Sequence, residues 1–233
     1  MKSRRSSIVR FVIGTAVTVS AAVAFASGGG VGVTADEALQ RLMDGNKHYV
    51  EGQLGACRES DAAKRESLAT GQKPYAIILS CSDSRVPPEI VFDKSMGEIF
   101  VVRVAGNVPD PVVLGSIEYA AEHIGSPLIM VLGHERCGAV TAAVDAKGKP
   151  EGNIGAIVKT IAPAVRKAKA EAKGKSKAEL VEAACEANVK LVARSLTKRS
   201  PVIAKLAKEG KIKIVTAKYD LDDGKVSLLD EKK

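Results

Sequence analysis

The chain contains no tryptophan, and aromatic residues of all kinds make up 3% of its 233 residues. Small and branched aliphatics must therefore fill its core. A nucleic-acid binder that stacks bases on aromatic platforms is excluded by the same scarcity. No Cys-x-x-Cys pair occurs among the four cysteines, which removes a thioredoxin-like redox role. No internal repeat is present, so a solenoid or propeller is not expected. What remains is 45% hydrophobic and 27% charged, the balance of a soluble globular domain with one well-buried core.

The formal net charge is +8, but it is unevenly spread. Lys2, Arg4, Arg5 and Arg10 lie in an N-terminal stretch that has no acid; the rest carries 31 basic against 27 acidic residues. The Lys run from Lys167 to Lys177 alternates with Ala and Glu and reads as a solvated helix face rather than a nucleic-acid patch. Residues 1–26 follow the order of a signal peptide: a basic start, an apolar stretch, then Ala24-Phe25-Ala26 as a small-residue cleavage site. The apolar run is short for a membrane span of ~20 residues, so a cleaved signal peptide that leaves no stable span is expected, with an uncleaved membrane anchor as the alternative. Ser3-Arg4-Arg5 also resembles a twin-arginine signal, leaving Sec and twin-arginine export both open. The expected organisation is a signal peptide over 1–26, a Gly-rich linker over 27–33 and a catalytic domain over 34–233, exported to the periplasm.

Thr34-Ala35-Asp36-Glu37 forms a capping box and predicts a helix start. A second helix is expected from about Glu59 to Thr70, closed by Gly71. Three short continuous apolar runs follow, Ala76 to Ser80, Ile99 to Val104 and Leu128 to Leu132. Runs of this length fit strands buried on both faces of a parallel sheet. Helical patterns over about Val112 to His123 and Gly138 to Ala146 separate or follow them. Longer helices are expected over Ile154 to Ala172 and Lys177 to Ser195, and a short one from Ser200-Pro201 to Glu209. Ile212 to Tyr219 reads as a strand that turns at Asp222-Asp223-Gly224 into an antiparallel partner. The fold class is α/β, with a mostly parallel sheet of four to five strands flanked by helices. Ligands in such sheets bind beyond the carboxyl ends of the strands, which singles out Cys81 and His134.

An even cysteine count in an exported protein first suggests disulfides. The placement of two cysteines argues for metal instead. Cys81 follows one apolar run, and Cys137 lies in Gly133-His134-Glu135-Arg136-Cys137-Gly138 after another. Two thiolates and an imidazole at strand ends make a Cys2His zinc site. Three protein ligands leave the fourth position open, which marks a catalytic zinc. Asp83 and Arg85 follow Cys81 closely. Arg85 can clamp Asp83 through a bidentate pair and keep the carboxylate off the metal, leaving it free to orient a bound water. Cys57 and Cys185 read as free thiols, with a disulfide as the alternative.

These residues carry a resemblance. Cys81-Ser82-Asp83-Ser84-Arg85-Val86-Pro87 and the Gly133 to Gly138 segment resemble the two signature segments of β-carbonic anhydrases. Gly97 to Arg103, Ala105-Gly106-Asn107 and Gly115 to Ala120 are similar to the segments between, and the likeness runs from about Ala35 to Val226. The resemblance implies reversible hydration of carbon dioxide to bicarbonate and a proton, by a zinc-hydroxide mechanism. It implies one Zn2+ per subunit on Cys81, His134 and Cys137, with Asp83 and Arg85 as the catalytic dyad. Gln72, Phe100, Tyr119, Ala105 and Gly138 match substrate-pocket positions, and Gln72 would reach the site from a partner subunit. A homodimer or larger homo-oligomer is therefore implied. One subtype of the family is switched by bicarbonate bound through a Trp, an Arg and a Tyr. Arg103 and Tyr219 could supply two of these, but Ile78 stands at the Trp position, so the plant-like, constitutively open subtype is expected. His48 and His123 are expected to be surface or structural residues. Rival readings are a carbon disulfide or carbonyl sulfide hydrolase on the same zinc site, and a non-enzymatic zinc- or bicarbonate-binding protein.

Overall fold

The computed structural model describes residues 31–148, 150, 152–171, 174 and 176–229. The expected signal peptide lies outside the described residues, as do residues 27–30 of the expected linker. Val31 and Val33, at the linker's end, pack against the core.

Helix α1 (Ala35–Val50) starts at the expected capping box: Thr34 Oγ1 accepts from the Glu37 N–H, and the Glu37 carboxylate accepts from the Thr34 N–H at 2.8 Å. The second expected helix is shorter than its pattern suggested. A 3-10 turn covers Ala56–Glu59, and α2 (Ala62–Ser67) begins only after Asp61, whose carboxylate caps the Lys64 N–H at 2.8 Å. Strand β1 (Ala76–Ser80) follows, then the short α3 (Pro88–Val91) and β2 (Ile99–Arg103). Helix α4 (Pro111–Glu118), started by Asp110 and Pro111, passes into a π-helical turn over Tyr119–Ile124 that closes at Gly125. Then come β3 (Leu128–His134), α5 (Gly138–Asp145), α6 (Ile154–Glu171), α7 (Lys177–Arg199), α8 (Pro201–Lys208), β4 (Lys213–Tyr219) and β5 (Val226–Leu228).

The five strands lie in the order β2-β1-β3-β4-β5, with the first four parallel and β5 antiparallel to β4. Successive side chains leave opposite faces of the sheet. Ile77, Leu79, Ile129 and Val131 pack beneath α4, α7 and α8, whereas Ala76, Ile78, Leu128, Met130 and Leu132 face α1 and Phe92. Strands β1 and β3 are fully buried, as expected. Strand β2 is not: it forms the edge of the sheet, and every one of its residues keeps some exposure.

Chain growth runs outward from β1 to β2, then returns past β1 to β3. The reversal opens a crevice at the carboxyl ends of β1 and β3. Close packing shapes this crevice from behind. A Cβ on Gly133, in β3, would stand 2.3 Å from Val189 Cγ2 on α7. Gly133→Ala is therefore expected to destabilise the protein by about 1–3 kcal/mol, the usual cost of overpacking a filled core. Urea unfolding at constant m-value measures this; an unchanged midpoint would show that α7 yields freely.

Candidate active site

Cys81 leaves β1 at its carboxyl end, His134 is the last residue of β3 rather than the first after it, and Cys137 is the N-cap of α5. Neighbouring parallel strands and one tight turn thus bring three side chains from distant stretches to one point. The Cys81 Sγ, one His134 ring nitrogen and the Cys137 Sγ lie within 4.8 Å of one another, and all three residues are buried.

The tautomer of a neutral His134 follows from its neighbours. Its Nδ1 stands 2.8 Å from the carbonyl oxygen of Glu135, which can only accept, so Nδ1 carries the proton. The lone pair is then on Nε2, which is buried and meets no protein partner. An orphaned buried acceptor is costly. The two thiols are equally unusual. Cys81 is pulled well below the ordinary thiol range, chiefly by a hydrogen bond from Cys137 and also by the Gly106 N–H, against the effect of burial. Cys137 is pushed up by the neighbouring Cys81 sulfur and by burial. Two adjacent buried sulfurs cannot both ionise without a cation between them. Two sulfurs and an imidazole nitrogen at this spacing are the donor set that suits Zn2+.

Asp83 stands beside this cluster. Its Oδ1 accepts from the Arg85 N–H at 3.0 Å and from Nε at 2.9 Å, and its Oδ2 accepts from Nη2 at 2.8 Å. These bonds to Arg85 hold the carboxyl well below the usual carboxylate range. Oδ2 faces the cluster, 3.9 Å from His134 Nε2. The bidentate clamp read from the sequence is thus formed.

The pocket residues fall into two groups. Ala105 and Gly138 adjoin the cluster: Ala105 precedes Gly106, whose N–H meets Cys81 Sγ at 3.4 Å, and Gly138 follows Cys137 with no atom near its missing Cβ. Phe100 and Tyr119 lie together, ring centroids 6.4 Å apart. Phe100 is in register with Ile77, four residues before Cys81, which sets it about 13 Å away along the strand. Gln72 is exposed and precedes β1, at the opposite end of the sheet from Cys81. Within one protomer these three do not join the cluster.

Several supporting residues escaped sequence reasoning. Arg103, considered there only for a bicarbonate site, donates to the Cys81 carbonyl at 2.8 Å and to the Asp83 carbonyl at 2.5 Å, pinning the loop that carries both. Asn107 ties the ends of β1 and β3 together through the Leu79 and Leu132 carbonyls. Asn188 on α7 donates to the Gly106 carbonyl at 2.8 Å. The one available signal was Ala105-Gly106-Asn107: Gly106 has φ +69°, and a Cβ there would press on Ile161 at 2.6 Å. His48 sits 3.4 Å from the buried Asp93 carboxylate and His123 packs on Tyr119, both away from the cluster. All four cysteines are free, so Cys57 and Cys185 do not pair.

The family model for carbonic anhydrases matches residues 76–226. Carbonic anhydrase 2 of Mycobacterium tuberculosis is 41% identical over 196 residues, which cover 83% of this chain and 92% of that protein. A carbonic anhydrase of Mycolicibacterium smegmatis is likewise 41% identical, over 82% of this chain and 91% of its own. Among solved structures, a β-carbonic anhydrase of Aspergillus fumigatus superposes with a TM-score of 0.68 at 26% identity, covering 82% of this chain and 90% of that one. The converging donor atoms, the clamped carboxylate and these likenesses agree: the chain belongs to the β-carbonic anhydrase family and catalyses the reversible hydration of carbon dioxide to bicarbonate and a proton.

Proposed function

We propose that Cys81, His134 and Cys137 hold one zinc ion per subunit and that Asp83, clamped by Arg85, orients the attacking water. One observation carries this reading: three buried donor atoms, one of them a ring nitrogen with no protein partner, converge beside a carboxylate held by a bidentate guanidinium. Zinc at these atoms supplies the Lewis acidity that makes water a competent nucleophile near neutral pH. With the metal bound, Asp83 Oδ2, which faces the cluster, would be placed to accept a hydrogen bond from the attacking water and orient it. Arg85 keeps the carboxylate ionised and turned toward the water rather than the ligands. Carbon dioxide is neutral and apolar, so Ala105 and the bare Gly138 leave room for it without a charged anchor. The proton is passed to solvent buffer, since neither His48 nor His123 adjoins the cluster.

Gln72, Phe100 and Tyr119 complete the pocket from a partner subunit, which makes the active unit a homodimer or larger. Their placement supports this. They sit away from this protomer's own ligands, on or near the partly exposed edge β2, and Tyr119 keeps 44% of its surface exposed. The hold of Arg85 on Asp83 and the absence of tryptophan support the plant-like, open subtype. Residues 1–26 direct export to the periplasm and are removed there. Among the described residues, no helix is long and apolar enough to cross a membrane.

Stopped-flow carbon dioxide hydration near pH 8 tests the central claim on one preparation in three states: zinc-loaded, chelator-stripped and zinc-restored. Fast hydration lost on stripping and regained on restoring is the expected result. Equal rates in all three states would remove zinc from the mechanism.

A further inference from the structure

The Arg136 N–H donates to Glu182 Oε1 at 2.8 Å, although Glu182 lies 46 residues away on α7. The peptide unit that owns this N–H also owns the Glu135 carbonyl. That carbonyl accepts the His134 Nδ1 proton at 2.8 Å. The two contacts therefore sit at opposite ends of a single peptide plane. Arg136 holds φ +48°, a left-handed conformation that is uncommon for an arginine and persists only where surroundings fix it. Its guanidinium is tied to Asp222 at 2.7 Å, and the Glu135 N–H donates to the Tyr219 carbonyl at 3.2 Å. The second Glu182 oxygen is buried without a partner, so Oε1 is the atom through which this carboxylate acts.

We propose that Glu182 is a positioning residue that tunes His134 through the Glu135–Arg136 peptide. A carboxylate that accepts from one end of an amide polarises it and makes the carbonyl at the other end a stronger acceptor. The Glu135 carbonyl then fixes the Nδ1–H tautomer of His134 and raises the electron density at Nε2. Metal-ligating histidines commonly gain this effect by donating directly to a carboxylate. Here a peptide group stands between the two, and the carboxylate also holds the turn that carries Cys137. The inference rests on His134 being a zinc ligand.

Two variants on the full, zinc-loaded protein test it. Glu182→Gln keeps an acceptor for the Arg136 N–H but removes the charge; Glu182→Leu removes both. With three histidines in the chain, 15N-histidine labelling isolates the His134 Nδ1–H signal. That proton resonance is expected to move upfield in Glu182→Gln, with a smaller loss of zinc affinity than in Glu182→Leu. In the leucine variant, chelator competition should show zinc held about 10–100-fold less tightly, the range for losing a hydrogen-bond partner of a ligand. A Gln variant with the parent's resonance and zinc affinity would overturn the relay and leave Glu182 as a prop for the turn. Should the leucine variant not fold, the Gln variant alone decides. Zinc content of the parent is measured first. No zinc there defeats the ligand assignment and the relay together, whereas zinc without a variant effect defeats the relay alone.

Discussion

Asp83→Ala should lose about 100-fold in kcat/KM for carbon dioxide hydration while keeping one zinc per chain; the factor is the upper end of the range for groups that orient chemistry at a metal. The carboxylate is not one of the three converging donors, so removing it leaves the ligand cluster intact. It also carries little of the fold. Asp83 lies in a loop beyond β1, and its side-chain partner Arg85 is half exposed, so the lost ion pair is worth little in stability. What disappears is the acceptor at Oδ2, the oxygen that faces the cluster. Arg85 holds this carboxyl ionised well below the neutral range, so the wild-type acceptor is present at every physiological pH. The variant should therefore be slower across the whole pH profile rather than at one end. Stopped-flow rates over pH 6–9, with zinc measured on the same samples, decide the matter. Loss of zinc in parallel with activity would mean that Asp83 supports the metal rather than the water.

Cys137→Ser should weaken zinc binding by more than about 100-fold, because losing a direct ligand exceeds the 10–100-fold that outer hydrogen-bond partners cost. Serine is close to cysteine in size and fits the buried space at the start of α5. Its hydroxyl stays protonated where the thiol would ionise beside a dication, so the charge that holds the metal is gone. Zinc stabilises the folded state by mass action only where it binds. Adding zinc should therefore raise the melting temperature of the stripped parent well above the smaller shift seen in the variant at the same zinc concentration. Equal zinc-induced shifts in the two proteins would sink the assignment of Cys137 as a ligand.

Much of the site was legible in the sequence, because its chemistry is local. Cys81, Asp83 and Arg85 fall within five residues, and His134 and Cys137 within four. Each short segment carries its own geometric requirement. The continuous apolar runs likewise announced β1 and β3, since a strand covered on both faces has no polar side to alternate with. The Thr34 capping box marks a helix start, and Asp222-Asp223-Gly224 marks a chain reversal, through backbone chemistry alone.

Strand order was not legible. Ile99 to Val102 is as apolar as its neighbours, yet β2 lies at the edge, because hydropathy does not say which connection crosses which strand. The helix expected over Glu59 to Thr70 shrank to α2, because the Asp61 cap set its start three residues later than the pattern did. Whether Gln72, Phe100 and Tyr119 reach their own metal could not be read from motif positions; the strand register sets Phe100 far along β2, and Gln72 precedes the far end of β1. The hydrogen bonds that fix the ligand loops come from Arg103, Asn107, Asn188 and Glu182, up to 82 residues from the atoms they hold. The motifs alone named the two sulfurs, the imidazole and the clamped carboxylate that converge in the fold. How those atoms are held had to come from the packed chain, because an orienting hydrogen bond depends on distance and direction in space and leaves no periodic or compositional trace along the sequence.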